Sequence, residues 1–128
     1  MEFDWSAGAL AQGLACYSRA EFFEAHEYWE ACWKRAEGGN RVLLQALVQL
    51  AVAMCHHQRG NRVGTRALLR KSLERLENCP EALGEVNVQR LRKEVHSWMR
   101  WLDAEESAAP PSVPEILAPI QIPPSDAP

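Results

Sequence analysis

The stretch EFFEAHEYWEACW, from Glu21 to Trp33, holds one histidine, four carboxylates and two tryptophans. His26 and Glu30 stand four residues apart, the spacing that puts two side chains on one face of a helix. A histidine and a carboxylate so placed can pass a proton, share a metal ion, or satisfy each other as a hydrogen-bonded pair. Downstream, Gln45, Gln49 and His56 interrupt an apolar run at steps of four and seven, which keeps all three within a narrow strip of helix surface. An unpaired amide buried on such a strip costs on the order of 1–3 kcal/mol, so the strip calls for polar partners.

Three kinds of chemistry fit these residues. In a binding module, His26, Glu27, Trp29, Glu30, Trp33, Gln45, Gln49 and His56 line a polar pocket for a ligand the sequence leaves open. In a hydrolase-like or metal-dependent enzyme, Glu27 or Glu30 is the acid or base, with His26 or His56 as its partner; a tryptophan-lined site helps a carboxyl group keep its proton. In a protein-interaction scaffold, the same cluster only locks two helices in register. For a metal the candidate ligands are His26, Glu30 and His56. Glu30 occupies the place where an HExxH motif has its second histidine, and the Glu-x-x-His spacing of di-iron bundles is missing. The metal assignment is therefore none, and no cofactor is called for. Nothing marks a nucleophile, and Gly38-Gly39 lacks the Lys-Ser/Thr context of a phosphate-cradling loop.

Helices must position these groups. Leu10, Leu14 and Tyr17 predict a first helix over about Ser6 to Tyr17, weakened by Gly8 and Gly13. Ser18-Arg19-Ala20-Glu21 fits a capping box, with Tyr17 and Phe22 placed for a hydrophobic staple. A second helix is expected from near Arg19 to the Gly38-Gly39 turn. The third, capped by Asn40, runs to about Arg59 and is apolar on nearly every side, as a buried helix is. Gly60-Asn61 ends it, with Asn61 as cap of a fourth helix over about Arg62 to Glu77. The charges of that helix read as a solvated face. The fifth, about Val88 to Ala104, carries Val88, Leu91, Val95, Trp98 and Leu102 at steps of three and four. No stretch alternates long enough for a good strand. The short turn after the second helix makes it an antiparallel neighbour of the third, which brings Glu30 level with Gln49 and His26 within a turn of His56. His57 is expected at the surface and His96 at a boundary.

The fold class is thus all-α: an antiparallel bundle of about five helices over residues 1–106, then a proline-rich tail over 107–128 with seven of the eight prolines. Proline removes helix from the tail. Ile116, Leu117, Ile120 and Ile122 suit either a free tail or an extended strap docked on the bundle. At 128 residues and net charge −3 the chain lacks the basic excess of a general nucleic-acid binder. The acidic start MEFDW does not resemble a secretory signal. The run from Val42 to Cys55, broken by two glutamines, falls short of the about 20 apolar residues that span a bilayer. Four separated cysteines with no CxxC pair read as reduced thiols of a cytoplasmic protein. The expected partner is a small ligand or a protein, with no nucleic acid and no membrane; homo-oligomerisation is left open.

FFEAHEYWEACW, then LLQALVQLAVAMCHHQRGN, then a leucine-spaced helix, resembles the bacterial and archaeal family known as domain of unknown function 309. The family's EAHExWE segment is matched by Glu24, Ala25, His26, Glu27, Trp29 and Glu30, with Trp33 following. Its glutamine-bearing apolar helix ending in H-x-x-x-G-N is matched by Gln45, Gln49, His56, Gly60 and Asn61. The likeness covers about Leu14 to Leu76. It implies a small helical bundle and names no reaction.

Overall fold

The computed structural model describes residues 4–104 and 108–117. Five helices, α1 (Gly8–Ser18), α2 (Phe22–Trp33), α3 (Gly38–Gln58), α4 (Arg62–Glu77) and α5 (Val88–Asp103), carry the chain, with a hairpin of β1 (Ala82–Leu83) and β2 (Val86–Asn87) before the last. The all-α class expected from the sequence holds.

Everything is built around α3. Leu43, Leu44, Ala46, Leu47, Leu50, Ala51, Ala53 and Met54 are fully buried on it. Each large side chain so buried favours folding by about 1.5–3 kcal/mol. By length and composition α3 is the one described helix that could cross a membrane; here α2 packs along one side of it and α4 along another. Ser72, also fully buried, donates its hydroxyl to the Ala46 carbonyl at 2.8 Å and ties α4 to α3. The outer helices continue the same order, α1 against α2 and α5 against α4. On α5 the expected stripe of Val88, Leu91, Val95 and Trp98 is buried, and the Asn87 side chain caps its first turn by accepting from the Arg90 amide at 3.0 Å.

Several boundaries differ from expectation, each for a local reason. The Ser18–Glu21 capping box does not form. α2 starts at Phe22, and the Glu21 carboxylate instead accepts from the Arg19 guanidinium at 2.9 Å. The staple contact is present, with the Tyr17 and Phe22 rings edge to face at 5.2 Å. α2 stops at Trp33, before the Gly38-Gly39 pair, because Gly38 (φ +59°) serves to start α3 rather than to end α2. The N-cap position of α3 accordingly falls on Glu37, not Asn40. The hairpin went unforeseen. Two residues per strand are too few for alternation to show, and its turn relies on Gly84 at φ +60°. On α4 the charged face is not wholly solvated: Arg66 pairs with Asp103, and Arg62 donates to the Leu102 carbonyl at 2.9 Å.

The tail is an extended strap over residues 108–117. Trp101 and Trp98 donate their indole N–H groups to the Ala108 and Ser112 carbonyls, at 2.8 and 2.9 Å. The Tyr17 hydroxyl donates to the Pro114 carbonyl at 2.6 Å, and Ile116 is buried. Ile120 and Ile122 lie outside the described residues.

Helices α1 and α3 end in the same way. In each, the amide two residues past the C-cap reaches back to the first carbonyl of the last turn: Glu21 to Cys16 at 2.8 Å, and Asn61 to His56 at 2.9 Å. This closure needs a left-handed residue in between. After α3 it is Gly60 (φ +72°); after α1 it is Ala20 (φ +62°). The left-handed region costs an L-residue roughly 1–2 kcal/mol, while glycine gives back about 0.5–1 kcal/mol of unfolded-chain entropy. Ala20→Gly is therefore expected to stabilise the protein by about 0.5–1 kcal/mol, read as a rise in the midpoint of thermal denaturation; an unchanged or lower midpoint contradicts the strain.

Candidate functional site

The end of α3 farthest from the α2–α3 turn comes level with the first half of α2. There Phe23 and His26 of α2 and Val52, Cys55 and His56 of α3, with Arg59 just beyond, line a hollow of about 200 Å³. The structure thus places His26 and His56, thirty residues apart in sequence, on the walls of one cavity.

Each imidazole is held from behind. His26 Nδ1 lies 2.9 Å from the Phe23 carbonyl, which can only accept, so Nδ1 carries the hydrogen and Nε2 is left for another partner. That partner is Glu30, with Oε2 at 3.4 Å from Nε2. The Phe23 ring lies 5.3 Å from the imidazole and is itself half exposed. His56 Nδ1 is 3.2 Å from the Asn61 side-chain nitrogen. An amide NH2 donates, so here Nδ1 accepts and the hydrogen of the neutral ring sits on Nε2. A carboxylate only accepts, so the Glu30 contact calls for a hydrogen on His26 Nε2 as well and engages both nitrogens of that ring, while the neutral His56 ring keeps an N–H at Nε2.

Asn61 does three things at once. Its amide N–H closes α3 onto the His56 carbonyl, its side-chain oxygen accepts from the Gly64 amide at 2.9 Å to cap α4, and its side-chain nitrogen holds His56. Gly64 completes the arrangement. A Cβ there would lie 2.8 Å from His56 Cγ, 2.9 Å from His56 Nδ1 and 2.7 Å from Asn61 Nδ2, closer than real Cβ atoms come. The spacing H-x-x-x-G-N-x-x-G is thus a device for seating one imidazole in the bend between α3 and α4. Gly64, Cys55, Arg59, Phe23 and Val52 also belong to the site, and helical spacing alone does not mark them as such. A glycine in the first turn of a helix, three residues after its cap, was the available signal for the first of them.

The other predicted site residues go elsewhere. Glu27 is exposed on the outer face of α2, beside Glu24, Tyr28 and Ala31. Trp29 is fully buried but turned toward α1, not the α2–α3 seam. Its indole N–H points to the Leu10 carbonyl at 3.3 Å, and its ring packs near Tyr17 at 5.5 Å and edge-on to Trp5 at 6.4 Å. Gly13 makes this approach possible, since a Cβ on it would stand 2.4 Å from Trp29 Nε1. The glycine that weakens the first helix in sequence is there for the indole. Trp33 is half-buried under the Arg41 guanidinium, 4.2 Å from the ring centroid. Gln45 and Gln49 are also half-buried, and no hydrogen bond among the described residues joins either to α2. The buried Gln49 Oε1 meets no donor among those residues. Of the polar network drawn from helical spacing, the His26–Glu30 contact is the part that forms. His57, expected at the surface, is half-buried with its ring 4.8 Å from Trp98, and His96 is exposed rather than at a boundary. Among the described residues no three His, Cys, Asp or Glu side chains converge closely enough to hold a metal ion.

Residues 10–68 match a family model described as a domain of unknown function, DUF309. The match takes in α2, α3, Asn61 and Gly64, and so every wall of the hollow; the hairpin, α5 and the strap lie beyond it. No curated protein matches the chain.

Because the His56 ring fills the space of a missing side chain, Gly64→Ala is expected to push the imidazole off the Asn61 amide. A loss of about 1–3 kcal/mol of stability in chemical denaturation, as for other overpacked positions, together with a shift of the His56 ring resonances, would bear this out. A variant with unchanged stability and resonances would show the site has slack.

Proposed function

We propose, for a chain whose residues 10–68 match the DUF309 family model, that it is a binding module whose hollow between α2 and α3 takes a small ligand through His26 and His56. The observation that carries this is the fixing of both rings from behind, by Phe23 and by Asn61, on opposite walls of one cavity. His56 Nε2, the nitrogen away from Asn61, is thereby preorganised for something that approaches it, and His26, engaged by Phe23 and Glu30, is a fixed wall on α2. At about 200 Å³ the space is below the range of sites for drug-sized molecules. Phe23 and Val52 offer apolar wall, while His56 and Arg59 offer donors. A compact molecule with one apolar portion and one carboxylate or carbonyl group matches this distribution. The His26–Glu30 pair, with Glu30 nearly half exposed, then faces the open side. The four free cysteines accord with placing the protein in the cytoplasm.

A thermal-shift screen of small carboxylates and carbonyl compounds, run in parallel on wild type, His56→Ala and Glu30→Gln, tests the reading. A compound that raises the wild-type midpoint is expected to lose most of its effect in His56→Ala and to keep part of it in Glu30→Gln, whose contact is at the rim. Equal shifts in wild type and His56→Ala would move the site elsewhere.

A further inference from the structure

The strap is seated by a pattern of contacts that nothing in the reading above uses. Trp101, Trp98 and Tyr17 each donate a side-chain hydrogen to a backbone carbonyl of the strap, those of Ala108, Ser112 and Pro114. Glu94 accepts from the Glu115 amide at 3.2 Å, and Arg90 lies 3.5 Å from the Glu115 carboxylate. All of these but the last engage the backbone. An extended proline-containing chain makes no internal hydrogen bonds and so offers its carbonyls freely; residues 108–117 hold Pro110, Pro111 and Pro114. Side-chain recognition is confined to one end, where Pro114 and Ile116 are buried.

The donors belong to the bundle and are set by contacts within it. Trp98 and Trp101 meet edge to face at 5.7 Å, each also against His57, and Tyr17 is held between Phe22 at 5.2 Å and Trp29 at 5.5 Å. The groove is therefore preformed on α1 and α5. Between the strap's 113–117 end and Leu14, Tyr17 and Phe22 lies a hollow of about 460 Å³, so among the described residues the strap, 108–117, does not fill the site that holds it.

We propose that this groove is a recognition surface for an extended, proline-containing segment of another protein, and that residues 108–117 occupy it in cis as a built-in competitor. Aromatic donors aimed at carbonyls, with a pocket for a proline and an aliphatic side chain, is the chemistry by which proline-rich segments are bound. A tethered occupant acts at an effective concentration in the millimolar range for a short linker, so a weak segment in trans is excluded while a better-fitting one, with larger apolar groups at the Val113 or Leu117 positions, displaces it.

The test uses the full chain and a fluorescent ten-residue peptide with the sequence of residues 108–117. Ile116→Asp removes the strap's buried anchor, and Glu115→Pro, at an exposed position, removes the N–H given to Glu94 together with the Arg90 partner. Anisotropy titration is expected to show the peptide binding to either variant at least tenfold more tightly than to wild type. Adding Tyr17→Phe to the variant should weaken binding about fivefold, as expected for one lost hydrogen bond. Absence of binding to a variant that keeps the wild-type circular dichroism and melting would overturn the proposal; Glu115→Pro supplies that result should Ile116→Asp fail to fold. Exchange of straps between two copies, seen as a stable dimer that does not take the peptide, would overturn it as well and assign the groove to self-association.

Discussion

A helix that is apolar around most of its circumference cannot stand beside water on two sides, and α3 is such a helix. Its leucines and alanines require a neighbour on each flank, and α2 and α4 are those neighbours because short turns at either end of α3 leave them nowhere else to go. The requirement also restricts polar groups on α3 to the margins of its contacts. Gln45, Gln49 and His57 are only half-buried for this reason, and His56 comes at the last turn, where the chain is about to reverse. The site is at that end of the hairpin because only there does α3 expose a ring to a facing ring on α2.

Glycine does much of the positioning. At Gly13 and at Gly64 a missing side chain lets an aromatic ring lie against a helix backbone, Trp29 in the first case and His56 in the second. The first contact fastens α1 to α2 and so supports the wall from which His26 projects. The second stiffens the bend between α3 and α4. Asn61 joins them to the ends of both helices with three hydrogen bonds. The functional side chains are thus braced by close approach as well as by burial of apolar area.

Much of this was legible in the residues. The bounds of α4, the stripe on α5, the Asn61 cap and the burial of α3 follow from periodicity and helix punctuation, because those signals are local. That His26 and His56 come to one place followed from helical spacing plus an antiparallel turn. What spacing could not show was direction at finer grain. A wheel puts Trp29 and Trp33 on one apolar stripe, yet one ring turns to α1 and the other lies under Arg41, since only the neighbours decide which side of a stripe is covered by what. The capping box failed because α1 needed the same residues, Arg19 to Glu21, for its own closing turn. The hairpin was too short to have a period, and the strap's course depended on donors nearly a hundred residues away, such as Tyr17.

The four thiols are unequal. Cys16, Cys32 and Cys79 are buried, and burial pushes all three thiols up; Cys55 is part-open on the wall of the hollow that holds both imidazoles. A maleimide or other electrophilic dye would meet Cys55 first, so the protein can be tagged at its own candidate site without engineering any residue, and an occupant of that space would announce itself by slowing the labelling.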